Sequence, residues 1–347
     1  MANIRIPVNL GGFDALALQR GTRRNLLRGA AGAGFALAGS HVLAAAQDHQ
    51  HEGTPEDTVG YAPAAEADEG HTPYNPFLEP VEPGPKHFEI VAIDKIVTVA
   101  KNVNYNGWTF NGTIPGPVFR AVEGDEITMT VRNEGAITHS VDTHAAKTPP
   151  NINYRNLAPG EEFTWTFTAQ HPGAYMYHCG TPPVLLHIGA GMFGAMIIDP
   201  KEGWSPAQEL VFVQNEYYFE KDEEGIMQSS MQKMMYADFM DYTTFNGHAT
   251  QYVDNPIEIK VGEPVRIFFV NAGPNIWSSF HVVGAIFDDV YLNANPKNHM
   301  VGMQSISIGP GDGSMVEFTV EEPGEYVAVN HAFGHAMHGA MALLHAV

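Results

Sequence analysis

From about Gly84 onward the chain is built of short apolar runs of β-strand character, each divided from the next by Gly, Pro and Asn turns. Phe88 to Val99, Glu126 to Val131, Phe163 to Thr168 and Ala195 to Ile198 are examples. No long stretch with a 3.6-residue period interrupts them, so the pattern predicts an all-β chain folded as antiparallel β-sandwiches.

An internal repeat sets the domain count. Phe167-Thr168, Pro172-Gly173 and Tyr175 recur as Phe318-Thr319, Pro323-Gly324 and Tyr326. Met192-Phe193-Gly194-Ala195-Met196 recurs as Met337-His338-Gly339-Ala340-Met341, in the same order and at nearly the same offset. The chain therefore reads as two copies of one sandwich, residues 84–200 and 205–347, joined by a Pro/Gly linker.

The chain upstream differs. Thr22-Arg23-Arg24-Asn25-Leu26-Leu27-Arg28 leads into the Gly/Ala-rich stretch Gly29 to Gly39 and then Ala44-Ala45-Ala46, the pattern of a twin-arginine export signal over residues 1–46 with a small-residue cleavage site. The stretch is too short and too rich in Gly to anchor the chain in a membrane, so the mature protein is expected to be periplasmic with no membrane span. Residues 47–83, rich in Glu, Asp, Ala, Pro and His, read as a disordered acidic tether, with His49, His51 and His71 as solvated linker residues.

Charge narrows the partners. Against 39 Asp+Glu stand 18 Lys+Arg, a net charge of −21, which excludes nucleic acid as a partner and favours a basic redox protein. Cleavage after residue 46 removes five Arg and one Asp and makes the chain more acidic still.

Cys179 is the only cysteine in 347 residues, so no internal disulfide can form even in an oxidising compartment. It follows His178, precedes His187 and Met192, and has His139 upstream. One thiolate, two imidazoles and a thioether are the ligands of a mononuclear electron-transfer copper, which takes two His and one Cys in a plane with a distant Met.

Side-chain alternation sorts a second set. In an extended segment His178 and Cys179 point to opposite faces, so they cannot serve one metal. Asp142 and His144, two apart, fall with His178, and His139 falls with Cys179. Two imidazoles leave this outer set one ligand short of a catalytic metal site with an open position. His281, His331, His335, His338 and His345 are the candidates for the third. In the second copy, Asn330 and His331 stand near the places of His178 and Cys179, His281 stands near that of His139, and Met337 is expected to pack rather than ligate. Met227, Met231, Met234, Met235 and Met240 are expected to form an adaptable packing segment.

These residues resemble the copper-containing nitrite reductases. The likeness covers nearly all of residues 84–347 and is carried by Asn111-Gly112-Thr113-Ile114-Pro115-Gly116-Pro117, His139-Ser140-Val141-Asp142-Thr143-His144-Ala145, the block from His178 to Met192, Ser279-Phe280-His281-Val282-Val283-Gly284 and Val329-Asn330-His331. The resemblance implies two tandem cupredoxin-like Greek-key sandwiches in a homotrimer. It implies a type 1 copper on His139, Cys179, His187 and Met192, and a type 2 copper on His144 and His178 of one subunit and His331 of its neighbour, two coppers per subunit. It further implies Asp142 and His281 as the acid/base pair beside nitrite, Val283 as an apolar restriction on the bound ligand, and a role in denitrification. The electron donor is expected to be a small periplasmic cytochrome c or cupredoxin docking near His187 at Pro182-Pro183-Val184-Leu185-Leu186.

Two residues depart from the family pattern. Ser140 stands where many members have Asn, and Thr143 where a bulkier apolar residue is common. A multicopper oxidase would need several His-x-His pairs for a trinuclear cluster, and the one such pair here, His49-Gln50-His51, lies in the expected tether.

Overall fold

The computed structural model describes residues 72–347. The expected export signal and the tether through His71 lie outside the described residues. Among the described residues, four sheets form two sandwiches. The first sets a six-stranded sheet (Phe219–Lys221, Met227–Ser229, Val103–Phe110, Lys86–Ala100, Glu126–Asn133, Glu162–Thr168) against a four-stranded one (Phe119–Val122, Phe193–Asp199, Gly173–His178, Asp142–Thr143). The second sets a six-stranded sheet (Tyr242–Phe245, Gln208–Tyr217, Pro264–Gly273, Gly313–Thr319, Phe287–Leu292, His299–Met303) against a five-stranded one (Ile257–Ile259, Met341–Ala346, Gly324–Asn330, Ser278–Val283, Ile306–Ile308).

The sheets are mixed rather than purely antiparallel. Lys86–Ala100 runs parallel to Glu126–Asn133, and Gln208–Tyr217 parallel to Pro264–Gly273. In the first pair the chain crosses to the opposite sheet between the two strands, and side-chain alternation is the same for either direction.

The strands buried along nearly their whole length are those with a core on each side. In Phe193–Asp199, Met196 and Ile198 enter the core of the first sandwich, while Phe193, Ala195 and Ile197 enter a separate apolar cluster shared with the second. In Pro264–Gly273, Val265, Ile267 and Phe269 fill the second core, and Phe268, Val270 and Ala272 face that shared cluster. Both sheets thus bury both faces, which turns alternation into continuous apolar runs. Gly313 permits the approach, since a Cβ there would stand 2.1 Å from the Ala174 carbonyl oxygen.

Part of the expected tether is pinned. Phe77 bridges Leu210, Leu78 N donates to the Glu209 carbonyl at 3.0 Å, and Tyr252 Oη donates to the Tyr74 carbonyl at 2.9 Å. Tyr74, Phe77 and Leu78 bring apolar surface that the acidic composition around them hid.

Matched hydrogen bonds relate the two copies more closely than the repeated words do. Cys179 N donates to the Met192 carbonyl and Asn330 N to that of Ala340, while Met192 N donates to the His187 carbonyl and Ala340 N to that of His335. Ser140 N points at Cys179 Sγ as Ser279 N points at Asn330 Oδ1. Asn330 therefore occupies the place of Cys179, His335 that of His187, and Ala340 that of Met192. His281, opposite Val329, takes the place of Asp142, opposite His178, rather than that of His139. The repeated Gly-Ala-Met word is out of register because His187 follows Cys179 by eight positions and His335 follows Asn330 by five. Met337, expected to pack, is 60% exposed.

Candidate functional site

Alternation along Gly173–His178 decides which way each ligand points. Ala174 and Met176 face the second sandwich, while Tyr177 and Cys179 enter the first core. His178 shares the parity of Ala174 and Met176, so two adjacent residues deliver side chains to opposite sides of one sheet.

On the core side His139, Cys179 and His187 converge. Cys179 Sγ lies 3.2 Å from His187 Nδ1 and 3.9 Å from His139 Nδ1, and the two Nδ1 atoms are 3.3 Å apart. His139 is held by paired backbone bonds to Leu157, and His187 rides in the last turn of the short helix Val184–Gly189. All three are buried, and Met192, fully buried, belongs to the same core cluster as Cys179. Burial, with help from the neighbouring His139, pushes His187 down to about 4, and burial also lowers His139 against the pull of Asp94. Both imidazoles are therefore neutral at pH 7, the form that binds metal. First-row metal bonds of about 2.0 Å to nitrogen and about 2.3 Å to sulfur would space trigonal donors roughly 3.5–3.7 Å apart, close to the spacing found.

The Cys179 sulfur faces one backbone donor, Ser140 N at 3.4 Å. Ser140 Oγ stands 4.0 Å from Sγ and accepts from Gly180 N and Thr181 Oγ1, both at 3.1 Å. Trp108 lies against both imidazoles, with ring centroids 4.8 Å from His187 and 5.7 Å from His139.

On the other side Asp142, His144 and His178 converge. His178 Nδ1 faces the Cys179 carbonyl at 3.0 Å, and His144 Nδ1 faces the Gly311 carbonyl at 3.2 Å. A carbonyl only accepts, so both Nδ1 atoms carry the proton and both Nε2 atoms carry a lone pair. Those two Nε2 atoms nevertheless meet at 3.2 Å with the rings at 90°. Two lone pairs at that distance repel unless a cation lies between them, and carbonyl-anchored imidazoles are the usual arrangement for metal-binding histidine. The residues present fit a metal ion on that ground. Asp142 Oδ2 is 4.0 Å from His178 Nε2. Burial lowers the His178 pKa, as does His144, against the Cys179 carbonyl and Asp142.

Gly311 escaped the sequence reading, lying 167 residues from His144 with no signal beyond a Gly-Pro-Gly turn. Its φ of +83° aims its carbonyl at the imidazole. His281 and His331 sit together in the second sandwich, ring centroids 5.5 Å apart, with His281 Nδ1 against the Gln304 carbonyl and Val283 two residues further along the strand. Within one chain they do not join the Asp142–His144–His178 group.

Two cupredoxin-like sandwiches, one buried His₂Cys cluster and a second imidazole pair behind it define a copper oxidoreductase. Comparison narrows the class. The Multicopper oxidase family profile matches residues 93–203, the stretch holding the buried cluster. The copper-containing nitrite reductase of Neisseria meningitidis serogroup B is 36% identical over 294 residues, spanning 82% of this chain and 75% of that protein. The copper nitrite reductase structure from Nitrosomonas europaea aligns with a TM-score of 0.70 at 35% identity, covering 76% of this chain and 94% of that one. A Cu-containing nitrite reductase from Thermus scotoductus SA-01 aligns at 0.70 and 36%, covering 76% of this chain and 62% of that one. The chain belongs to the copper-containing nitrite reductase family.

Proposed function

We infer that the chain reduces nitrite to nitric oxide and water, consuming one electron and two protons per turnover. The observation that carries this reading is the pair of ligand clusters on opposite faces of one strand, joined through the Cys179–His178 peptide link. His139, Cys179, His187 and Met192 would hold the type 1 copper. His144 and His178, completed by His331 of the partner subunit, would hold the type 2 copper. Copper, when bound, supplies the one-electron couple and the Lewis acid that binds nitrite.

The chain supplies the rest. The covalent path from Cys179 Sγ to the His178 ring carries the electron across the strand. Asp142 Oδ2, 4.0 Å from His178 Nε2, stands where a proton can reach an oxygen of nitrite bound beside that imidazole. His281 acts as the second proton source and Val283 restricts the pose of nitrite, both reaching the site across a subunit boundary.

The ligand count calls for a second copy of the chain, because His331 is exposed and outside the chain's own His144–His178 group, and the family resemblance makes that assembly a homotrimer. Trp277, Val283, Phe333 and Met337, all on or beside the elements bearing His281 and His331, are exposed apolar side chains suited to burial against a second copy. The two sandwiches serve as two domains, residues 84–200 and 205–347, except that Phe219–Lys221 and Met227–Ser229 of the second segment extend the six-stranded sheet of the first sandwich. No helix among the described residues is long and apolar enough to cross a membrane. Twin-arginine export of residues 1–46 would place the enzyme in the periplasm, drawing electrons from a small cytochrome c or cupredoxin and serving denitrification.

The deciding experiment measures copper content and nitrite-dependent nitric oxide release with a chemical reductant, for the wild type and His331→Ala. Two coppers per chain with nitric oxide, falling to one copper and no activity in the variant, is expected. One copper in both proteins and no nitric oxide would leave an electron carrier and end the enzymatic reading.

A further inference from the structure

The outward nitrogen of His139 is a buried donor with nothing to donate to. Its Nδ1 is committed to the cluster with Cys179 and His187, so the ring proton sits on Nε2, and that atom is buried without a hydrogen-bond partner. Across the sandwich edge is a buried acceptor in the complementary condition. Asp94 Oδ1 is buried without a partner, while its Oδ2 accepts from Ala136 N at 2.9 Å.

One peptide links the two. His139 Nε2 lies 3.0 Å from the position a Cβ would take on Gly135, and Asp94 grips the next residue, Ala136. Asp94 also pairs in register with Trp108, whose ring lies against His139. The negative charge of Asp94 is near enough to oppose the burial that lowers His139. Buried polar groups are nearly always paired, directly or through one ordered water. A Cβ at Gly135 would stand 3.0 Å from His139 Nε2 and crowd that edge of the ring.

We propose that Asp94 is a positioning residue for the type 1 copper, its Oδ1 accepting the Nε2–H of His139 through one bridging water and so fixing the ring and setting the reduction potential. This inference rests on the assignment of His139 as a copper ligand. A carboxylate behind a ligating imidazole makes the imidazole a stronger donor and adds negative charge near the metal, and both favour the oxidised ion. Removing it must raise the midpoint potential.

The test is a spectroelectrochemical titration of the copper-loaded holoenzyme, followed at the thiolate-to-copper absorption band, for wild type, Asp94→Asn and Asp94→Ala. At the wild-type midpoint, Asp94→Ala is expected to shift the oxidised-to-reduced ratio about tenfold toward reduced, equivalent to roughly 59 mV for one electron. Asp94→Asn, which keeps an acceptor and loses the charge, should fall between. Where Asp94→Ala does not fold, Asp94→Asn decides by the same reading. An intact band with an unmoved midpoint in every folded variant overturns the inference alone. A wild-type chain that takes up copper without that band overturns the ligand assignment and this inference with it.

Discussion

Replacing Gly311 by Ala separates the two metal sites by a change that touches neither ligand cluster covalently. Gly311 sits at φ +83°, in the left-handed region where a Cβ costs about 1–2 kcal/mol. Its N–H is tied to the Asn271 carbonyl at 2.7 Å, so strain is most readily relieved by rotating the following peptide, which swings the carbonyl away from His144 Nδ1. The new Cβ would stand 3.4 Å from His144 Cε1, an ordinary contact, so the effect is conformational rather than a clash. Losing the outer partner of a ligating histidine costs about 10–100-fold in metal affinity. The expected outcome is selective loss of the type 2 copper in a chelator competition, with the thiolate-to-copper band of the type 1 site retained. Equal retention of both coppers across the chelator series would refute the role given to the Gly311 carbonyl.

Three further perturbations probe other parts of the molecule. Glu216 is buried and accepts from Tyr218 Oη and from Asn275 N and Ile276 N; burial pushes its carboxyl up to about 7 against those bonds. The native chain then keeps a proton that the unfolded chain releases above about 4.5, so this group's contribution is full below that pH and declines as pH rises through 7, by about 3 kcal/mol. Thermal or denaturant unfolding of Glu216→Gln against wild type over that window should show the gap closing in the variant's favour, and a pH-independent difference would contradict it. Gly313→Ala should lower stability by about 1–3 kcal/mol, because its Cβ would meet the Ala174 backbone where the sandwiches touch; an unchanged denaturant midpoint would show that the contact yields freely. Leu185→Glu, in the partly exposed run beside His187, should slow reduction by a protein donor about tenfold and leave reduction by a small chemical reductant unchanged, as stopped-flow traces would show.

Much of the candidate site was legible because one local rule carried it. Alternation along a strand separates His178 from Cys179 whatever the rest of the fold does, and the same rule gathered Asp142 and His144 with His178. What escaped came from residues far apart in sequence and of unremarkable type. Gly311 acts through a carbonyl, Asp94 through a turn 42 residues away, and Trp108 through ring contact, and none of these leaves a pattern in the sequence. The double-sided burial of Phe193–Asp199 was likewise hidden, since a continuous apolar run does not say which side chains belong to which core. The repeat misled by three residues because it matched words, whereas loop length sets register.

In the corrected register the two copies diverge at each ligand position but one. Ser278, Asn330, His335 and Ala340 stand where the first copy has His139, Cys179, His187 and Met192. Asn330 fills the thiolate's place with an amide that accepts from Ser279 N and Ala332 N and whose two N–H hydrogens are shared among Gln214 Oε1, the Trp277 carbonyl and His335 Nδ1, all within 3.3 Å of Nδ2. A fully bonded, buried amide leaves no lone pair directed at a metal, so the second copy trades an ion for a polar plug that holds the same loops. On the opposite face the same correspondence places His281 where the first copy has Asp142. The two proposed proton donors are thus one structural position used twice. In an assembly that sets the first copy of one subunit against the second copy of the next, a single repeat can supply an acid to each side of one substrate.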